Sequence, residues 1–89
     1  MISEKVLIQN KLGLHARAAS VFVKKATEFS STITVRNLEK SSNGKSIMSM
    51  MLLEASCGTE IELQAEGDDE QLAIDALTEL IAQRFGEEE

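Results

Sequence analysis

The 89-residue sequence contains no proline, tryptophan or tyrosine, and it has one cysteine and one histidine. A single cysteine excludes a disulfide bond within the chain and is typical of proteins from a reducing compartment. It also excludes the zinc sites that need several thiolate and imidazole ligands, so we expect no bound metal. The glycine-rich phosphate cradle of a nucleotide site is absent, and we expect no cofactor. Cys57 itself is predicted to be a small, buried residue.

Long hydrophobic runs are also missing. No run reaches membrane-spanning length, and the amino terminus lacks the basic and apolar regions of a secretion signal. No linker, internal repeat or low-complexity block divides residues 1–89. These absences predict one small cytoplasmic domain, monomeric and without membrane insertion.

The formal net charge of −6 is unevenly spread along the sequence. Residues 1–45 carry eight basic and three acidic side chains, whereas residues 46–89 carry one basic and twelve acidic side chains. Such a chain lacks the dominant cationic surface that nucleic-acid binding needs, so we expect no nucleic-acid partner. A local basic patch could still attract an acidic protein, and its members would be Lys11, Arg17, Lys24 and Lys45.

Apolar residues recur with the periods of both strands and helices, in the order βαββαβα. This order predicts an α+β fold in which a four-stranded antiparallel sheet has three helices packed on one face. Periodicity does not determine the order of the strands. The predicted strands are residues 4–8, 32–36, 40–42 and 60–66. The second helix is predicted at residues 47–53, the third runs from residues 67–69 through Phe85, and residues 87–89 form a solvated tail.

The first helix is predicted to begin beside the only histidine. Its first-turn positions are Leu14, His15 and Ala16, none of which has the side-chain oxygen that usually caps a helix. Free backbone N–H groups, the positive end of the helix dipole and the Arg17 guanidinium would therefore meet beside His15. This arrangement predicts a phosphate site built around a histidine. The apolar face of this helix is Ala19, Phe22, Val23, Ala26 and Phe29.

The chemistry of these residue types fits that prediction. A neutral imidazole is a competent nucleophile near pH 7, because the unperturbed pKa of histidine is about 6.5. A phosphate at this site would meet the His15 imidazole, the Arg17 guanidinium and the backbone N–H donors of Ala16 and Arg17. The alternative is a solvent-facing histidine at a helix start, with no role.

A second cluster begins at Ser46, which is predicted to cap the short second helix. Ile47, Met48 and Met51 follow at the spacing i, i+1, i+4 and predict an exposed apolar patch. The alternative is core filling, which some residues of this cluster must provide.

Two motifs resemble those of a known family. Residues 10–17, Asn-Lys-Leu-Gly-Leu-His-Ala-Arg, resemble the active-site signature of the histidine-containing phosphocarrier (HPr) family of the bacterial phosphotransferase system. Residues 45–48, Lys-Ser-Ile-Met, resemble the regulatory serine segment of that family, at a matching separation. The resemblance covers essentially the whole chain and implies an open-faced β-sandwich. It also implies that His15 takes a phosphoryl group on Nδ1 from phosphorylated enzyme I and passes it to an acceptor such as an enzyme IIA.

The resemblance implies two further roles. Ser46 would be the target of an HPr kinase/phosphorylase. The apolar patch on the second helix, extended by the first helix, would be the surface that docks partner proteins. The residues of this surface would be Ser20, Lys24, Ile47, Met48 and Met51.

Ala18 departs from the pattern, because the family commonly has proline there. Proline preorganises the first turn of a helix, so Ala18 predicts slightly looser geometry without lost activity. Two alternative functions stay open: the nitrogen-related branch of the same family, with a regulatory output, and a non-catalytic α+β domain that senses a small molecule. A metabolic enzyme with its own substrate pocket is not expected in a chain of this size with one histidine. We therefore expect a stoichiometric carrier.

Overall fold

The computed structural model describes residues 1–87, and its elements follow the predicted order βαββαβα. The strands are β1 (Ile2–Leu7), β2 (Thr32–Asn37), β3 (Lys40–Asn43) and β4 (Glu60–Glu66). The helices are α1 (Ala16–Ala26), α2 (Ile47–Leu52) and α3 (Glu70–Ala82), and a single 3₁₀ turn follows at Arg84–Gly86. The bounds predicted for β4 match the observed ones, and those predicted for the other strands and for α2 lie within two residues of the observed ones. The first helix ends at Ala26, before Phe29, which the sequence analysis placed on its apolar face.

The four strands form one antiparallel sheet in the order β1-β4-β2-β3. Ile61 on β4 lies opposite Val6 on β1, and Leu63 lies opposite Val35 on β2. Because side chains alternate along a strand, these residues all point to the same face of the sheet. The outward face carries charged and polar residues, such as Glu62 between β1 and β2. One covered face and one open face give the open-faced sandwich that was expected.

The helices cover the apolar face and share one hydrophobic core with it. Each helix contributes at least one fully buried side chain: Phe22 from α1, Met50 from α2 and Leu77 from α3. Burial of a large apolar side chain contributes about 1.5–3 kcal/mol, so these residues anchor the helices to the sheet. The anchoring of α1 determines where its amino-terminal end lies.

The end of α3 differs from the prediction. The helix was expected to run through Phe85 but ends at Ala82, and both Arg84 and Phe85 have a φ of 57°. In a continuing helix the direction of the Phe85 side chain would be set by the helix pitch. The observed turn instead directs this side chain into the core, where it is 5% exposed. The positive φ of these two residues costs energy, and burial of the Phe85 ring offsets it. The turn sends the chain back toward the start of α1.

Cys57 also differs from the prediction, because it is exposed. It lies in the loop between α2 and β4, where Leu53 and Ala55 are the residues that pack in the core. No helix within residues 1–87 has the length and apolar character needed to cross a membrane.

Candidate functional site

The amino terminus of α1 is uncapped, as predicted. His15 occupies the N-cap position with extended backbone angles, and its side chain makes no capping hydrogen bond. The Ala19 N–H donates to the His15 carbonyl at 2.8 Å, which is the first hydrogen bond of the helix. The N–H groups of Ala16, Arg17 and Ala18 precede that bond and so have no acceptor within the helix. The start of α1 therefore presents donors and partial positive charge next to the imidazole.

A tight loop before α1 determines where His15 lies. Gly13 has a φ of 66°, and a Cβ atom at this position would come within 2.5 Å of the Ala55 carbonyl oxygen. The next residue, Leu14, donates its N–H to the same oxygen at 2.8 Å and has a buried side chain. Only glycine permits both the left-handed backbone and this close approach. The loop is thereby fastened to the segment before β4, and His15 follows it directly.

The His15 ring contacts a residue that the sequence analysis assigned to a solvated tail. Glu87 Oε2 lies 2.6 Å from His15 Nε2, and Glu87 Oε1 accepts a hydrogen bond from Asn10 Nδ2 at 2.9 Å. The side chains of His15 and Glu87 are 28% and 13% exposed. The tail prediction is wrong for Glu87, because the turn at Phe85 carries it to the site. Glu88 and Glu89 lie outside the described residues.

The surroundings of Glu87 favour its ionised form. Burial raises the pKa of the Glu87 carboxyl group, but hydrogen bonds from Asn10 and His15 lower it, and so do the charges of His15 and Arg17. The lowering causes outweigh burial, so the pKa lies below the usual value for glutamate. Glu87 is therefore negatively charged at neutral pH.

These residues line a groove of about 870 Å³ at the surface. The groove combines two cationic side chains with backbone donors, one imidazole and one carboxylate. Such a lining can accept a small anion at the imidazole while leaving it open to a second protein. The lining residues are Lys11, Leu12, His15, Ala16, Arg17, Gly86 and Glu87.

The remaining predicted site residues lie on α1 and α2, which pack against each other. Ser20 and Lys24 are exposed on α1. Lys45 is used differently from the prediction of a basic patch, because its Nζ donates to the Phe29 carbonyl oxygen at 2.7 Å. That hydrogen bond holds the ammonium group beside the chain that follows the carboxyl end of α1.

Ser46 caps α2, as predicted: the Ser49 N–H donates to its Oγ at 3.3 Å. Ile47, Met48 and Met51 are exposed, and Met50 fills the core. Two further exposed leucines, Leu12 at 67% and Leu52 at 66%, were not singled out from the sequence. A missed signal for Leu12 was its place inside the histidine motif.

The comparisons with known proteins agree with this geometry. A family model described as PTS-HPr, "PTS HPr component phosphorylation site", matches residues 2–83. The chain belongs to the HPr family. It is 48% identical over 89 residues to the phosphocarrier protein HPr of Neisseria meningitidis serogroup A, with full coverage of both chains. It is 49% identical over 86 residues to the phosphocarrier protein HPr of Pseudomonas aeruginosa, with 96% of each chain covered.

The fold comparison gives the same result. A crystal structure described as HPr-C-His from Thermoanaerobacter tengcongensis matches all of both chains, with a TM-score of 0.96 and 50% identity. The resemblance and the HPr-type fold expected from the two motifs are therefore confirmed, and the chain is a phosphocarrier component of the phosphotransferase system. Within residues 1–87, no three metal-ligating side chains lie together.

Proposed function

We propose that His15 carries the phosphoryl group in this phosphocarrier, taking it from phosphorylated enzyme I and passing it to enzyme IIA-type acceptors. The phosphoryl group comes originally from phosphoenolpyruvate. The observation that carries this proposal is the uncapped start of α1, where an imidazole, free N–H groups and a guanidinium line one open groove. A carrier of this kind is loaded and unloaded stoichiometrically and is not itself an enzyme. We expect the transfer to take place in the cytoplasm.

The roles of the site residues follow from their chemistry. The resemblance to the family assigns the phosphoryl group to His15 Nδ1. The Arg17 guanidinium suits the phosphoryl oxygens because its planar fork forms paired, charge-assisted hydrogen bonds. The backbone N–H groups of Ala16 and Arg17 add donors at the positive end of the helix. Each charge-assisted bond is worth roughly 1.5–3 kcal/mol, enough to steady the group without trapping it in a wet groove.

The surface around the groove supports docking of partner proteins. Exposed apolar side chains on α2 lie beside the polar, cationic side of α1. Flexible methionine side chains adapt to several partners, which a carrier with a donor and more than one acceptor needs. The proposed docking residues are Ser20, Lys24, Ile47, Met48 and Met51.

Ser46 is proposed as a regulatory site for an HPr kinase/phosphorylase. A phosphate at this cap would add about −1.5 to −2 charges at the amino-terminal end of α2. The helix dipole favours negative charge there, so the helix would be retained. The added charge would instead act on the docking surface and repel an acidic partner.

The test is the intact mass of the protein after incubation with phosphoenolpyruvate and a catalytic amount of enzyme I. We expect one added phosphoryl group that is lost in mild acid, as for a P–N bond, and no addition to the His15→Ala variant. The far-UV circular dichroism spectrum of the variant should match that of the wild type, since His15 is partly exposed and lies outside the core. An acid-labile phosphoryl group on His15→Ala, or no group on the wild type with a cognate enzyme I, would contradict the proposal.

A further inference from the structure

Glu87 connects two residues of the segment that precedes α1. One of its oxygens faces His15 Nε2 at 2.6 Å and the other accepts from Asn10 Nδ2 at 2.9 Å. Asn10 is fully buried and donates its second amide hydrogen to the Gly13 carbonyl at 2.7 Å. Since Gly13 belongs to the fastened loop, Asn10 has a rigid support. The Glu87 carboxylate is thus held in place by two donors, one of which is buried.

The short contact between Glu87 and His15 assigns its hydrogen to the histidine, because an ionised carboxylate cannot donate. An ionised carboxylate has only acceptors, and the pKa of Glu87 lies below its usual value despite burial, with the hydrogen bond from Asn10 as the largest lowering cause. His15 Nε2 is therefore the donor. In a neutral imidazole the other nitrogen, Nδ1, then has the free lone pair. Within residues 1–87 no hydrogen bond to Nδ1 is found.

We propose that Glu87 is a positioning residue, which holds the His15 proton on Nε2 and so keeps Nδ1 unprotonated as the phosphoryl acceptor. This inference rests on the phosphocarrier function proposed above. It adds to the proposed site a carboxylate that follows His15 by 72 positions in the sequence. Asn10 orients Glu87, and Glu87 orients His15.

The transfer step balances with this arrangement. The Nδ1 lone pair forms the new N–P bond while the bond from phosphorus to the donor protein breaks, and the electron pair of that bond stays on the donor atom. The Nε2 proton remains on the ring throughout, hydrogen-bonded to Glu87. The ring gains a positive charge, which the adjacent carboxylate offsets. Passing the group to an acceptor reverses these changes, so the same contact serves loading and unloading.

The test is the Glu87→Gln variant, because an amide has one acceptor oxygen and one donor nitrogen. If its oxygen faces Asn10, its NH₂ group faces Nε2 and favours the proton on Nδ1. If its oxygen faces His15, its NH₂ group opposes the Asn10 donor. Glutamine therefore cannot satisfy both neighbours in one orientation.

Two measurements follow on the full-length protein. Nitrogen-15 NMR of the His15 ring at about pH 8.5, well above the reference pKa of histidine, should show the Nε2–H form in the wild type. It should show a shift toward the Nδ1–H form in Glu87→Gln. The second-order rate constant for phosphoryl uptake from phosphorylated enzyme I should fall about tenfold or more in the variant. Glu39→Gln, which makes the same charge change at an exposed position, should leave both measurements at wild-type values.

The outcomes separate this inference from the proposed function. Wild-type uptake with an unchanged tautomer in Glu87→Gln, or a changed tautomer with an unchanged uptake rate, would overturn the role of Glu87 but not that of His15. A slower uptake with an unchanged tautomer would likewise overturn it, and would assign Glu87 to docking. If the wild type takes no phosphoryl group, the proposed function fails, and the tautomer measurement still decides whether Glu87 orients the ring.

Discussion

At the scale of single residues, Arg17 is the side chain that we propose to hold the phosphoryl oxygens. It is exposed at the second position of α1 and lines the same groove as His15. None of the ion pairs formed among residues 1–87 involves Arg17. A guanidinium at a helix start is costly to the extent that it repels the dipole, and the phosphoryl group that we propose to bind there would offset that repulsion.

Replacement of Arg17 tests this role. Arg17→Ala should lower the rate constant for phosphoryl uptake about tenfold or more, because charge-assisted hydrogen bonds worth roughly 1.5–3 kcal/mol are lost. The rate constant of Arg17→Lys should lie between those of Arg17→Ala and the wild type, since an ammonium group keeps the charge but not the planar fork. Stopped-flow or quench-flow transfer assays measure both rates. Arg36→Ala, on the exposed face of β2, is the matched control. Equal rates for Arg17→Ala and wild type would exclude Arg17 from the site.

At the scale of elements, the three helices begin in three different ways. α1 has no side-chain cap, α2 is capped by Ser46, and the Asp69 side chain at the start of α3 makes no cap hydrogen bond. Asp69 instead accepts hydrogen bonds from the Ser31 hydroxyl and from the backbone N–H groups of Ser30 and Ser31. Only the first of these helix starts opens onto a groove with a nucleophile. The absence of a cap at α1 is thus matched to the phosphoryl site that we propose there.

Ser46→Asp is the informative change at the start of α2. Aspartate is as good an N-cap as serine and carries negative charge where the helix dipole favours it. We expect native far-UV circular dichroism, an unfolding midpoint close to that of the wild type, and slower phosphoryl uptake from enzyme I.

Ser46→Ala provides the matched control for that experiment. It removes the cap without adding charge, so it should cost about 1 kcal/mol of unfolding free energy, or about 4–8 °C in Tm, with little change in uptake. A strongly destabilised Ser46→Asp protein would contradict the capping argument. Equal uptake rates for Ser46→Asp and wild type would contradict the regulatory role.

At the scale of the whole molecule, contacts between distant segments determine the geometry of the site. Asp69 connects the start of α3 to the loop before β2, and Phe85 fastens the end of α3 into the core. With α3 held at both ends, the chain that follows it is directed to His15. The site therefore depends on the packing of an element that contributes no residue of its own to the groove.

The Asp69 connection predicts a dependence of stability on pH. The Ser31 hydroxyl first, and then the backbone N–H of Ser30, lower the pKa of Asp69 in the folded state. A carboxyl group with a lowered folded pKa contributes stability above its unfolded pKa of about 3.9, and this contribution is lost as pH falls through the folded value. Urea unfolding at a series of pH values should show Asp69→Asn destabilised at neutral pH, with a smaller loss of stability on acidification than the wild type.

Asp68→Asn is the control for that series, because Asp68 is the exposed neighbour of the same charge. It should keep the acid dependence of the wild type. If Asp69→Asn and wild type lose stability in parallel below about pH 4, the carboxylate of Asp69 does not brace α3.

Much of the fold could be predicted from local sequence. The alternation of Ile61, Leu63 and Ala65 predicted β4 with its observed bounds, and the missing cap before Ala16 predicted the open start of α1. Each of these features depends on neighbours a few residues apart, where periodicity and side-chain chemistry are read directly. The prediction for Cys57 was wrong for the opposite reason: its small apolar character suited burial, but the loop that holds it turns it outward.

The contact between Glu87 and His15 shows where local information ends. The two residues are 72 positions apart, and three terminal glutamates after a glycine have the pattern of a solvated tail. The sequence by itself determined the order of the elements, the uncapped helix beside the only histidine and the cap at Ser46. Only the tertiary structure decided the strand order, the turn at Phe85 and the position of the Glu87 carboxylate beside His15 Nε2. Core burial and long-range hydrogen bonds choose among conformations that local spacing leaves equally open.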